Sequence, residues 1–255
     1  MLVDTNVLIS ASTYTASEEI GVNLKHPFFD QCTNLIGLFK KHLTKRIGVI
    51  TTVIEEEAFN VLGKAVRQEI EKEGIDRKIT FQTLSIIINS CEDKMRRIIS
   101  YLLREPIDDH EAAHWYMKVC NMYEKLKEIA FESDPQLEAA WKASHAAIRF
   151  KKLAHNIYIK QENIKFLQAM RLLYDEPNDT DKKILAQAIY LLQLYKKTES
   201  EKVKLYLAST DTHFSPKRIK GGSESRIITD EIFGQFGIIC DWPAQIFSIC
   251  SKELG

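Results

Sequence analysis

Leu2-Val3-Asp4-Thr5-Asn6-Val7-Leu8 is the stretch from which the rest of the chain is read. A short apolar run stops at an acid, and polar residues then lead into a second apolar group. Three further segments share the first feature: Ile47–Thr51, Val203–Ala208 and Phe236–Cys240 are apolar and bounded by polar or turn residues. Together with Met1–Val3 they read as four buried strands. Near-continuous apolar strands separated by helices predict a parallel sheet covered on both faces, an α/β architecture of three layers.

Helical spacing of apolar residues fills most of the remainder. It runs through Phe28–Leu43, through Ile54, Ala58, Val61, Leu62 and Ala65, and through Ile184, Leu185, Ala188 and Leu192. From about residue 67 to 175 no strand is evident. Ile79–Leu103, His110–Phe131 and Gln136–Tyr174 read as amphipathic helices punctuated by Gly74, Pro106 and Pro135. The expectation is one domain over residues 1–255 with a large all-helical insertion at about 67–175. Gly221-Gly222-Ser223 reads as a flexible turn.

The chain of 255 residues is long enough to bury a core without disulfides. Five cysteines, widely scattered and with no Cys-x-x-Cys, fit reduced thiols. The apolar runs are too short to span a bilayer. The opening residues carry neither a basic leader nor an apolar signal stretch, so a cytoplasmic location is expected. With 35 basic and 35 acidic residues the formal charge is zero, which argues mildly against a nucleic-acid partner. Basic clusters are nevertheless present at Lys94–Arg97, Arg149–Lys152 and Lys217–Lys220. Each is read first as a solvated face and second as a phosphate contact.

The residues that point to chemistry are acids placed at strand ends and helix starts. Asp4 follows the first strand, where an open parallel sheet presents its ligand crevice; capping the next helix explains it equally well. In Glu55-Glu56-Glu57 the acids all suit a helix N-terminus, but Glu57 shares the stripe of Ile54, Ala58 and Val61 and should face inward. Glu56 is the second choice. Asp181 lies three and four residues before Ile184 and Leu185, on the buried stripe of its helix, with Asp179 or Thr180 as its cap. Asp211 stands just past Leu205–Ala208. Converging carboxylates repel unless protonated or neutralised, and hard oxygen donors suit magnesium or manganese.

In this order the motifs resemble those of the PIN-domain nucleases. The resemblance rests on Asp-Thr-Asn-Val-Leu (Asp4–Leu8), Glu57 entering a helix after the second strand, Asp-x-x-Ile-Leu-Ala-x-Ala (Asp181–Ala188) and Ser-x-Asp-x-x-Phe (Ser209–Phe214). Phe236–Trp242 with Pro243 and Phe247 is similar to the family's last strand and exit. It covers roughly residues 1–66 and 176–250 and leaves the helical block unexplained; small toxin-type members lack such a block. The resemblance implies a metal-dependent ribonuclease, probing RNA or another single-stranded nucleic acid endonucleolytically. Asp4, Glu57, Asp181 and Asp211 would hold Mg2+ or Mn2+ for two-metal-type water activation, with Asn6 and Ser209 orienting the carboxylates. The insertion would wall the substrate groove, offering Arg96, Arg97, Arg149, Lys151 and Lys152 to phosphates; the bland reading is that it packs or forms a homo-oligomer contact.

Two other classes stay open. A PIN-like module that binds nucleic acid or protein without cutting would share the same fold. His110-Glu111-Ala112-Ala113-His114 matches the zinc-protease pattern, with Glu132 or Glu138 as third ligand. Against it, Pro106 and Asp108-Asp109 place His110 in the exposed first turn of a helix. Phosphate-cradling glycine loops and a Gly-x-Ser-x-Gly elbow are absent from the sequence.

Overall fold

Leu2–Val3 (β1) is the central strand of a five-stranded sheet, and both of its side chains are fully buried. The computed structural model describes residues 1–22, 24, 28–72, 80–132, 178–211, 214, 217–218, 224–225 and 234–255. β1 pairs on one side with Val49–Thr51 (β2) and on the other with Leu205–Ala208 (β4). Leu103–Glu105 (β3) adds to β2, and Ile238–Asp241, the last strand of the chain, adds to β4. Every pairing is parallel. Between β3 and that last strand, Lys217–Arg218 (β5) and Glu224–Ser225 (β6) form a separate antiparallel pair, so Ile238–Asp241 is β7.

The sheet order is therefore β3-β2-β1-β4-β7. From β1 the chain moves outward to β2 and β3, and β4 then returns to the opposite side of β1. The strand order reverses between β1 and β4, and in an open α/β sheet ligands bind outside the carboxyl ends at such a point.

The strands are short, but β1, β2 and β4 are buried throughout, as parallel strands covered on both faces require. Thr5–Glu19 (α1) follows β1 with only Asp4 between, and packs against Phe29–Lys41 (α2), Thr52–Lys72 (α3) and Phe81–Ile99 (α4). Buried Lys94 of α4 pairs with Glu19 at the end of α1, which meets the need of a buried ammonium for a counter-charge. Asp109–Glu132 (α5) packs on Asp179–Thr198 (α6), and the terminal helix Pro243–Leu254 (α7) packs on α2 and β4. No helix among the described residues is long and apolar enough to cross a membrane.

Four strands match the apolar runs in the sequence. The fifth does not: β3 lies within the stretch expected to be helical, and the helix expected over Ile79–Leu103 ends at Ile99. Leu103-Arg104-Glu105 has one apolar residue in three, and an edge strand exposes its outward side chains. The hydrogen bond from the Leu103 amide to the Gly48 carbonyl (2.7 Å) locks it in place. Gly48 allows this approach, since a Cβ there would stand 2.7 Å from Leu102 Cδ2 and 3.0 Å from Phe39 Cγ. Residues 80–132 thus supply a strand of the sheet and helices packed on α1, α3 and α6. The β5–β6 pair also went unread. The helix expected over Gln136–Tyr174, the turn at Gly221–Ser223, and Arg149, Lys151, Lys152 and Glu138 lie outside the described residues.

A candidate acidic site at the strand-order switch

Asp4 is the hinge between sheet and helix. Its backbone is extended (φ −76°, ψ 157°), and its amide donates to the Ala208 carbonyl (3.1 Å), extending the β1–β4 ladder by one residue. Its carboxylate then caps α1: Oδ1 accepts from the Thr5 amide (2.7 Å). Oδ2 accepts from the Ser209 hydroxyl (2.6 Å), which arrives from just beyond β4. The capping and site readings of Asp4 therefore describe the same side chain, fixed at both oxygens and 3% exposed.

Ser209 is the hub. It is fully buried, donates to Asp4, and accepts from Asn6 Nδ2 (3.1 Å) and from the Asp211 amide (2.9 Å). One hydroxyl proton and two lone pairs are thereby all engaged. Asn6 Oδ1 accepts in turn from the Thr210 amide (3.0 Å), so the Ser209–Asp211 turn is bound to the first turn of α1. This places Asp211 beside Asp4.

Glu57 reaches the same place from α3. Its Oε2 accepts from the Thr5 hydroxyl (2.6 Å), making Thr5 a bridge: its amide holds Asp4 and its side chain holds Glu57. Asp181 comes from the start of α6, where a capping box fixes it. Asn178 Oδ1 accepts from the Asp181 amide (2.9 Å), and Asp181 Oδ2 accepts from the Asn178 amide (3.2 Å). The cap is thus Asn178, not Asp179 or Thr180. Glu56 turns away from this cluster and lines a cleft with Arg96 and Arg104.

The electrostatics show the four acids in one neighbourhood. Burial pushes the Asp4 carboxyl up to about 8, the charges of Asp181 and Asp211 push the same way, and the hydrogen bonds from Ser209 and Thr5 offset part of it. Glu57 is also raised, first by burial and then by Asp181 and Asp211, against the Thr5 hydrogen bond. Among the described residues no basic side chain influences either group. They share a field but not yet a coordination sphere: among the described residues no group of three or more His, Cys, Asp or Glu is arranged to hold a metal ion.

Several polar partners were not legible beforehand. Thr51, the last residue of β2, donates its hydroxyl to Gln187 Oε1 of α6 (2.7 Å), both side chains being buried. That bond ties the sheet edge to the helix bearing Asp181. Asp241 ends β7 at the same edge and accepts from the Trp242 amide (2.7 Å); its signal, an acid closing an apolar strand, is that of Asp4. Of the basic residues, Arg96 and Arg97 are exposed on the last turn of α4, and Arg96 alone of the two lines the cleft with Glu56. His110 and His114 are exposed near the start of α5, and Asp108 caps that turn through the Glu111 amide (2.9 Å). No family model, curated protein or solved structure matches this chain.

Proposed function

We propose that this protein is a PIN-like, metal-dependent ribonuclease that hydrolyses phosphodiester bonds of RNA, built on the family's three-layer fold. The observation that carries the reading is Asp4. A carboxylate fixed at both oxygens, pushed up to about 8 and flanked by two further acids at the strand-order switch is poorly suited to bear its charge alone. Structural economy would place an amide or hydroxyl there.

The described donor set fits a hard divalent cation: among the described residues of the cluster it is all carboxylate and hydroxyl oxygen. Each fixed oxygen of Asp4 keeps a further lone pair for such a contact. Asp4 would hold the ion, with Glu57, Asp181 and Asp211 around it and around the waters it carries. Bound Mg2+ or Mn2+ would supply charge neutralisation at the phosphoryl oxygens and an acidified water. The chain's own part is orientation. Thr5 and Ser209 hold Asp4 in one rotamer, and the Asn178 box holds Asp181. Burial raises the Glu57 pKa, which favours proton uptake, and the Thr5 hydroxyl keeps the carboxylate aimed, so Glu57 would take the proton from water.

The test is cleavage of single-stranded RNA with purified protein. Activity is expected with Mg2+ or Mn2+, to vanish with chelator, to return with either ion, and to be lost in Asp4→Asn. Cutting by Asp4→Asn at the wild-type rate would refute the reading. RNA that is bound and never cut would move it to the non-catalytic binding module. Zinc retained by the purified protein and lost in His114→Ala would move it to the protease class.

A further inference from the structure

A second feature shares α3 with the acid cluster. On the helix face adjoining Glu57, a cleft of about 720 Å³ opens between α3, α4 and β3, lined by Thr52, Glu55, Glu56, Phe59, Arg96 and Arg104 among others. Thr52 is the first residue of a 21-residue helix, so the positive end of its dipole lies at the cleft. Arg96 lies over the Phe59 ring (4.7 Å to the centroid), which fixes its guanidinium plane while leaving the edge free to donate. Arg104 stands on the edge strand and pairs with Glu55 (2.6 Å), its side chain 68% exposed. An ion pair so exposed contributes little and can be exchanged for another anion.

We propose that this cleft binds one phosphate group of a single-stranded RNA through Arg96 and Arg104, next to the bond positioned at Asp4. The proposal rests on the nuclease reading and specifies where its substrate strand runs: from the acid cluster, across the first two turns of α3, toward the β3 edge. Two guanidiniums beside the positive end of a helix dipole offer forked donors to one anion, the arrangement phosphate oxygens match, in a cleft that also holds the Glu55 and Glu56 carboxylates. Glu55 is then a placeholder, holding Arg104 extended until phosphate displaces it. Arg97, on the same turn as Arg96 and outside the cleft, has no part in it.

The experiment follows binding of a short fluorescein-labelled single-stranded oligoribonucleotide by anisotropy, in chelator so that nothing is cut, over a range of salt. Arg96→Ala/Arg104→Ala is expected to weaken binding about tenfold or more at moderate salt. It should reduce the log–log salt slope by about 1.4, roughly 0.7 for each lost contact on a single strand. Glu55→Gln, which removes the competing carboxylate, should tighten binding about two- to fivefold. Unchanged affinity and slope in the double variant would overturn the cleft assignment, and so would absence of binding to the wild-type protein. The nuclease reading is judged separately, by adding Mg2+. Cutting with an arginine-independent slope removes the cleft and keeps the nuclease. An arginine-dependent slope without cutting keeps the cleft and removes the nuclease.

Discussion

At the edge where the strands begin, a cavity of about 480 Å³ sets Lys45, Arg46 and Lys204 beside Glu199 and Glu253; at the edge where they end, Asp181 and Asp211 act on both Asp4 and Glu57, with no base among the described residues that influence them. The first edge mixes bases with acids. Tyr206 donates to Glu253 (2.9 Å), and burial together with that carboxylate pushes the phenol up to about 12, so it stays a donor. At the second edge, hydroxyls and amides from Thr5, Ser209 and Asn178 orient the carboxylates of Glu57, Asp4 and Asp181. Among the described residues the same sheet therefore has one edge where acids and bases are mixed and one where acids gather. That contrast, more than the fold, motivates the functional proposal.

The contrast breaks most visibly in stability. A carboxyl ordinarily titrates near 4, and in the fold Asp4 is raised to about 8. The fold favours the protonated form, so this group's contribution is fully present below about pH 4 and is lost as pH rises toward 8. Asp4→Asn is neutral throughout. In chelator it should exceed the wild type by a few kcal/mol at pH 8–9, on the order of several degrees in melting temperature, with the gap closing near pH 4. A gap that does not depend on pH would mean that Asp4 bears its charge without strain.

Ser209→Ala is expected to have a smaller effect. It strips a donor from Asp4 and an acceptor from Asn6 and the Asp211 amide. Denaturant unfolding should show a loss of about 1–3 kcal/mol, and cleavage should fall about 10- to 100-fold because the acids lose their orientation. Full activity in this variant would show that the hub serves folding alone.

At the opposite edge the smallest change is predicted. Arg46 sits in the left-handed region (φ 48°, ψ 46°) at the rim of that cavity. Arg46→Gly removes the Cβ penalty and adds chain entropy to the unfolded state, a net effect within about 1 kcal/mol. Its RNA cleavage should equal that of the wild type. A large loss of cleavage would place function at both edges and dissolve the comparison.

What the sequence made legible follows from the range of the interactions involved. Apolar runs revealed β1, β2 and β4 because burial on both faces demands them, and β7 by its apolar sequence although this edge strand exposes Ile239. Asp4 and Asp211 were legible as acids closing such runs, and Glu57 from its helical stripe. The strand Leu103–Glu105 was not, since a half-exposed edge needs no hydrophobic pattern and it follows a strongly amphipathic helix. Nor were the Thr51–Gln187 pair, the Thr5 bridge to Glu57 or the cleft with Arg104. Each joins residues dozens to more than a hundred positions apart, and local pattern carries no information about such pairings. The Asn178 cap was within reach: Asn followed three residues later by an acid is a capping signature, and Asp179 and Thr180 drew attention from it.

The central claim is that the four acids form one unit completed by a divalent cation. Crystals soaked with Mn2+ and recorded for anomalous scattering test it directly. The account predicts an anomalous peak bound to Asp4 and to at least one of Glu57, Asp181 and Asp211, absent from Asp4→Asn crystals treated identically. A cluster free of Mn2+ at saturating metal, or a peak at His110 and His114 in its place, would contradict it.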